Sequence, residues 1–314
     1  MRLPTLISDY IGYQHALGYR FKNEGFILRA FCKSVGGGAV SVLTTDQIRT
    51  YIQHGEVSTQ TVIKRYRALN GFFRHLATRH RIHLPAMPPV PKAGTTTFVP
   101  YIYSHKELAR LLRTAPKACQ RHSALLDEET LRTVLLLLYS AGLRLGEAIR
   151  LDIRDVDLDH ALLTVRQTKF FKMRLVPMGR DLTRVLIDYR QSRRGRRAQG
   201  TDGAFFRMRN GKRIEQKVVD RTFRRLCGIA RVSREGGARR QPRLHDLRHC
   251  AAVHRLIAWY RRGADLQYLL PRLATYLGHK DLSGTQHYLT LTPQLLREAS
   301  KRFERYAGEN CHDR

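Results

Sequence analysis

The chain has 314 residues, 42% of them hydrophobic, and 57 Lys and Arg against 26 Asp and Glu leave a formal net charge of +31. That apolar content excludes a disordered chain, the longest apolar run, Val134 to Tyr139, is far too short to span a bilayer, and the length suggests two domains of about 150 residues. The basic excess is spread along the chain, which suits a folded protein that wraps a polyanion, with nucleic acid ahead of a ribosomal or membrane-surface role. Residues 1–86 read as helices: Leu6, Ile7, Tyr10, Ile11 and Leu17 recur at helical spacing, and Phe26, Ile27 and Phe31 do so in a second segment. Three glycines at 36–38 punctuate the chain, and Thr45 before Asp46 predicts an N-cap. A longer helix from Ser58 to about His80 carries Lys64, Arg65, Arg67, Arg74 and Arg79 on a polar face suited to phosphate contact. Residues 87–100 hold four prolines, so this stretch reads as a semi-extended linker.

Beyond it, residues 101–314 read as a second domain, mainly α with one small antiparallel sheet. Ser104 to Arg113 and Asp127 to Ser140 look helical, and 161–168 and 173–178 look like two short strands around a turn. Phe205-Phe206 is a candidate third strand, with Asn210-Gly211 as a turn, and helices resume from about Glu215. The run 190–197 reads as a basic loop. Cys32, Cys119, Cys227, Cys250 and Cys311 form no CxxC pair, so reduced thiols in a cytoplasmic protein are expected, and Met1-Arg2-Leu3-Pro4 opens no signal segment.

Four segments carry chemistry. In Leu244-His245-Asp246-Leu247-Arg248-His249, a helix puts His245 and Arg248 on one face, where a guanidinium can clamp a phosphate and an imidazole can move a proton. Leu277-Gly278-His279 precedes Tyr288 by nine residues, and a phenol needs cations or a base to attack phosphorus. In 140–147, Arg144 emerges after an apolar helix and a glycine, with Glu147 three residues on to orient it. Lys169 lies between the two expected strands, where it can reach a DNA groove. Alone, His245 and Arg248 also read as two surface polar residues, Tyr288 as a half-buried amphipathic residue, and Arg144 with Glu147 as an ordinary surface pair. A GxxxxGK[ST] loop and zinc-ligand spacings are both missing, so neither nucleotide nor metal is expected.

In this order, AGLRLGEAIRL, KFFKMRLVPM, HDLRH and LGHKDLSGTQHY resemble the tyrosine recombinase (phage integrase-like) family, which includes the Xer recombinases. The likeness covers about residues 101–306, and the basic N-terminus looks like the family's core-binding (SAM-like) domain. The resemblance implies a C-shaped clamp on double-stranded DNA and catalytic residues Arg144, Lys169, His245, Arg248, His279 and Tyr288. It implies a 3′-phosphotyrosyl intermediate at Tyr288, a Lys169 general acid, no cofactor, and a nucleoid-associated enzyme. It also implies a tetramer on paired sites, built through the C-terminal helix by Leu295, Leu296, Ala299 and Phe303; packing of that helix on its own domain is the alternative. Thr168-Lys169-Phe170 replaces the family's Gly-Lys-Gly, which makes Lys172 a rival acid, although the spacing to Leu175-Val176-Pro177 favours Lys169. Gly284 replaces a small hydroxyl residue. The 34 positions from His245 to His279 exceed those of Xer-like members and resemble recombinases of bacterial mobile elements, which points to integration or excision. Two other functions fit part of the pattern: a type IB topoisomerase, or a catalytically silent DNA-binding protein.

Overall fold

The computed structural model describes residues 2–82, 84–90, 99–120, 124–166, 173–193, 203–237, 241–279, 295–301 and 304. The chain forms two compact units, Met1–Thr97 and Phe98–Arg314.

Among its described residues, the regular structure of the first unit is helical, apart from one antiparallel bridge between Arg2 and Ala39. Helix α1 (Leu3–Ala16) takes Pro4 in its first turn, where a missing N–H costs nothing. Its Leu3, Leu6, Ile7, Tyr10 and Ile11 are buried, one stripe at helical spacing. Leu17, expected on that stripe, is 54% exposed just past the helix end. Helix α2 (Lys22–Ser34) buries Gly25, Leu28 and Phe31, so Phe26 falls about 100° away and stands 72% exposed, against the expectation. Helix α3 (Thr45–Gln53) is capped by Thr44, one residue earlier than Thr45: the Thr44 hydroxyl accepts from the Gln47 N–H and the Gln47 side chain accepts from the Thr44 N–H. Helix α4 (Thr59–His80) starts at its Ser58 cap. Leu28, Phe31, Ile48, Leu69, Phe72 and Leu76 meet in the core, each burial contributing about 2 kcal/mol.

The second unit is mainly helical with one small antiparallel sheet, as the sequence predicts. Helix α5 (His105–Cys119) has a Ser104–Glu107 capping box and runs on past Arg113, accommodating Pro116. Helix α6 (Glu128–Ser140), capped by Asp127, lies at the centre, against α5, a helix α8 (Arg180–Arg193) and a helix α10 (Leu244–Arg261). Its Leu131, Val134, Leu135, Leu137 and Leu138 are buried in the main core. A short helix α7 (Leu145–Ala148) follows, then strands β1 (Val156–Asp157), β2 (Leu162–Val165) and β3 (Arg174–Pro177), in that spatial order. The third strand is therefore Val156–Asp157 and not Phe205-Phe206. Those two aromatics pack instead against Tyr189, at ring distances of 5.6 and 5.2 Å, and plug the core. The turn at Asn210-Gly211 forms as expected, with Gly211 at φ +77° and the Asn210 side chain accepting from the Lys212 N–H. Helix α9 (Gln216–Ile229) packs on α5, and α11 (Leu266–Leu277) follows α10.

Cys119, Cys227 and Cys250 are buried free thiols, and burial pushes them up to about 11, 12 and 12. Cys250, on α10, accepts a hydrogen bond from the Tyr103 N–H at 3.0 Å. Among the described residues, no helix is long and apolar enough to cross a membrane, and no group of three His, Cys, Asp or Glu side chains could hold a metal ion.

Candidate active site

Two glycines let three elements converge. Gly142 follows α6 with φ +60°, and a Cβ there would lie 2.6 Å from Leu277 at the end of α11. Gly278 caps α11 in the left-handed region: its N–H reaches the Thr275 carbonyl, and the His279 N–H reaches that of Ala274, a Schellman-type end. A Cβ at Gly278 would come within 2.7–3.0 Å of the Arg174 guanidinium. Any side chain at either position would push these elements apart.

Arg144 and Arg248 meet at that turn, although 104 positions separate them (248 − 144). Arg248, on the first turns of α10, is only 2% exposed and donates at 2.6 Å to both the Gly142 and Leu277 carbonyls. Arg144, the N-cap of α7, keeps 42% of its side chain exposed and makes a 3.4 Å contact with the Gly278 carbonyl. Those two contacts flank the residues that lead into His279, which is half-buried.

Glu147 organises the arginines. Its side chain is only 4% exposed, and it accepts from the Arg144 N–H (3.0 Å), Arg144 Nη1 (2.8 Å), Arg174 Nη1 (3.2 Å) and Arg174 Nη2 (2.9 Å). Burial alone would raise its pKa, but the hydrogen bonds and charge of Arg174, then of Arg144, outweigh it and hold the carboxyl at about 2. Glu147 is thus the buried centre of an ionic junction with the more exposed Arg144 and the enclosed Arg174, in place of the ordinary Arg–Glu surface pair that the spacing also allowed.

His245 sits at the second position of α10, three residues before Arg248. His245 is exposed by area, yet desolvation by its neighbours, followed by the charge of Arg248, lowers its pKa. The His249 ring stands against it edge-on at 4.8 Å. The helix start is fixed by Asp246, 1% exposed, which accepts from the Arg243 N–H and pairs with its guanidinium. The arrangement brings two guanidinium groups to one turn, with the His245 imidazole on the helix that carries Arg248, a set suited to a phosphate in transit between nucleophiles.

Arg174 was not singled out by sequence reasoning, and it is the residue that completes this junction. Lys169, its rival Lys172, Gly284, Tyr288 and Phe303 lie outside the described residues. Leu295 is buried on its own chain, among Ala252, Val253, Leu256, Ile257, Leu273 and Leu277, with Arg261 pairing Glu298 nearby. Leu296 is 54% exposed and Ala299 is half-buried.

On α4 of the first unit, Lys64, Arg67 and Arg74 are exposed and fall within about 80° of one another around the axis. Arg65 turns away: its Nη1 donates to the carbonyls of Tyr51, Ile52 and His54, and its guanidinium lies over the Tyr51 ring. Arg65 thereby closes the C-terminal end of α3.

The profile of the phage integrase family matches residues 103–294. A Sinorhizobium fredii protein described as an integrase/recombinase, y4rB, is 34% identical over 95% of this chain and 96% of its own. The tyrosine recombinase XerA of Thermococcus kodakarensis is 28% identical over 87% and 86%. Among solved structures, the Tn1549 transposon integrase in complex with transposon right end DNA superposes with a TM-score of 0.68 at 15% identity, covering 98% of this chain and all of that one.

Proposed function

Because the chain belongs to the phage integrase family of tyrosine recombinases, in its Xer-like branch, we propose that it is a site-specific recombinase that integrates or excises a mobile DNA element. Cleavage and rejoining of DNA strands is the activity of the family. The mobile-element assignment draws support from the long His245–His279 spacing and from the likeness to y4rB.

In this reading the Tyr288 hydroxyl attacks the scissile phosphorus. A 3′-phosphotyrosyl bond forms, the bond to the 5′-oxygen breaks, and Lys169 gives that oxygen its proton. Arg144 and Arg248 offset the charge that gathers on the non-bridging oxygens, and His279 adds a hydrogen bond there. His245 takes the phenolic proton or holds the phosphate. The phosphotyrosyl bond conserves the energy of the broken linkage, so the 5′-hydroxyl of a partner strand can reverse the attack. The observation that carries this reading is the convergence of Arg144 and Arg248 on the single turn before His279.

The two units are read as a core-binding domain, with Lys64, Arg67 and Arg74 on phosphates, and a catalytic domain, joined by the proline-rich linker and closing as a clamp on duplex DNA. Four such protomers on paired sites, linked through the C-terminal helix by Leu296, Ala299 and Phe303 while Leu295 seats on its own chain, complete the working assembly at the nucleoid.

The test is trapping on a nicked suicide DNA in excess EDTA without nucleotide. The intact chain should accumulate a covalent protein–DNA adduct, and Tyr288→Phe should form none while binding the same DNA within about twofold. An adduct that persists in Tyr288→Phe moves the nucleophile elsewhere. A strict demand for added divalent metal replaces the chemistry altogether.

A further inference from the structure

We infer that Arg174 is a positioning residue for Arg144: by occupying one edge of the buried Glu147 carboxylate, it leaves Arg144 held through one guanidinium nitrogen and free to turn its other donors to the scissile phosphate. The inference rests on the recombinase reading above and adds a residue to it.

A carboxylate offers about four acceptor directions. At Glu147 all four are taken, two by Arg174 and two by Arg144, of which only one comes from the Arg144 guanidinium. The division of labour follows exposure. Arg174 keeps 13% of its side chain exposed and Arg144 keeps 42%, so Arg174 faces the carboxylate and Arg144 faces outward. Among the described residues, the second nitrogen of Arg144 meets only the Gly278 carbonyl, at 3.4 Å. Strand β3 delivers Arg174 to this place: Arg174 stands opposite Val165 and shares its face of the sheet with the fully buried Val176. The missing side chain at Gly278 provides the room.

Without Arg174, Glu147 is a buried carboxylate with Arg144 as its one cation among the described residues. A lone buried charge is costly, and carboxylate and guanidinium favour two parallel bonds. The Arg144 fork would therefore close on Glu147 and leave the phosphate. Lysine in place of Arg174 would restore charge but not the two parallel bonds, because an ammonium is a point donor.

The experiment measures single-turnover cleavage of nicked suicide DNA by the wild type, Arg174→Gln, Arg174→Lys and Arg144→Ala. Three scissile linkages are compared: the phosphodiester, a methylphosphonate with one charged non-bridging oxygen replaced, and a 5′-bridging phosphorothioate whose leaving group needs no proton. Arg174→Gln should bind DNA normally, cleave the phosphodiester about fiftyfold more slowly, and recover on the methylphosphonate, as Arg144→Ala should, but not on the phosphorothioate. Arg174→Lys should fall between, about tenfold slow. Recovery on the phosphorothioate would overturn the inference, because Arg174 would then act through the leaving-group acid. Wild-type rates in Arg174→Gln would also overturn it, as would a lowered unfolding midpoint with lost DNA binding and no recovery on the methylphosphonate. A wild type that forms no adduct on any of the three removes the recombinase reading and this inference with it, whereas the other outcomes leave that reading standing.

Discussion

Arg67 on α4 and Arg248 on α10 carry the same guanidinium, and the fold treats them in opposite ways. Arg67 stands in solvent beside Lys64 and Arg74 on a helix whose other face fills an apolar core. Arg248 is buried to 2% exposure and is built into the backbone it supports, through the carbonyls of Gly142 and Leu277. Charges of the first kind attract a polyanion without fixing where it sits. Charges of the second kind are fixed by the same contacts that hold three elements together, so their geometry is set before substrate arrives. The contrast within α4 itself is as sharp: Arg65, one position from Lys64, closes α3 and turns away from the exposed stripe.

The strongest challenge to this contrast is Arg248→Ala. Cleavage should fall by about a thousandfold, the scale of losing a fixed donor at a developing charge. Stability should also drop, by about 2–4 kcal/mol, as two buried carbonyls lose their donor. Arg67→Ala should do neither. A chemical denaturation series that gave Arg248→Ala wild-type stability would dissolve the distinction.

Next in size is a pH effect at Glu147, whose carboxyl is held at about 2 against an ordinary 4.5. A depressed carboxyl stabilises the fold fully above pH 4.5, and that contribution drains away as pH falls toward 2. The shift corresponds to about 3 kcal/mol. The stability gap between wild type and Glu147→Gln should therefore narrow between pH 5 and pH 3. A gap that stays constant across that window would mean the junction of Arg144, Glu147 and Arg174 is not ionic in the folded state.

The smallest effects belong to α4. Lys64→Ala, Arg67→Ala and Arg74→Ala should each weaken DNA binding a fewfold and lower the slope of log affinity on log salt by about 0.9. Arg65→Ala should leave that slope alone and cost about 1 kcal/mol of stability in the first unit, read by thermal melting. A salt slope that falls with Arg65→Ala as much as with Arg67→Ala would place both on the DNA.

Helix starts were legible because their signals are local: the helices expected from Ser58, Ser104 and Asp127 begin there, with those residues as N-caps, while the cap expected at Thr45 falls one residue earlier, on Thr44. The family motifs were legible as short strings. What escaped depended on tertiary context. In the run from Met173 to Met178, the apolar alternation of Met173 and Leu175 points Arg174 toward solvent. The fold does the reverse, leaving those two 62% and 60% exposed and turning Arg174 inward, because Glu147 waits there. An arginine in register with a buried valine two residues on is a signal only once the strand's inner face is known. Phe205-Phe206 misled in a similar way: aromatic pairs suit strands, but here the rings are wanted by Tyr189 and the core more than the backbone is wanted by the sheet.

Cys250 lies two residues after Arg248 on the same helix, accepts from the Tyr103 N–H, and is fully buried with its thiol pushed up to about 12. A protonated, enclosed thiol does not react with alkylating reagents until its surroundings part. Cys119 and Cys227, buried elsewhere in the same unit, are shielded by the same physics. The three sulfurs are therefore built-in clocks: each is labelled only as often as its own stretch of the core opens. Labelling of Cys250 in step with the other two would mean that the helix bearing Arg248 breathes only with the whole unit, whereas an earlier Cys250 signal would time the opening of that helix by itself.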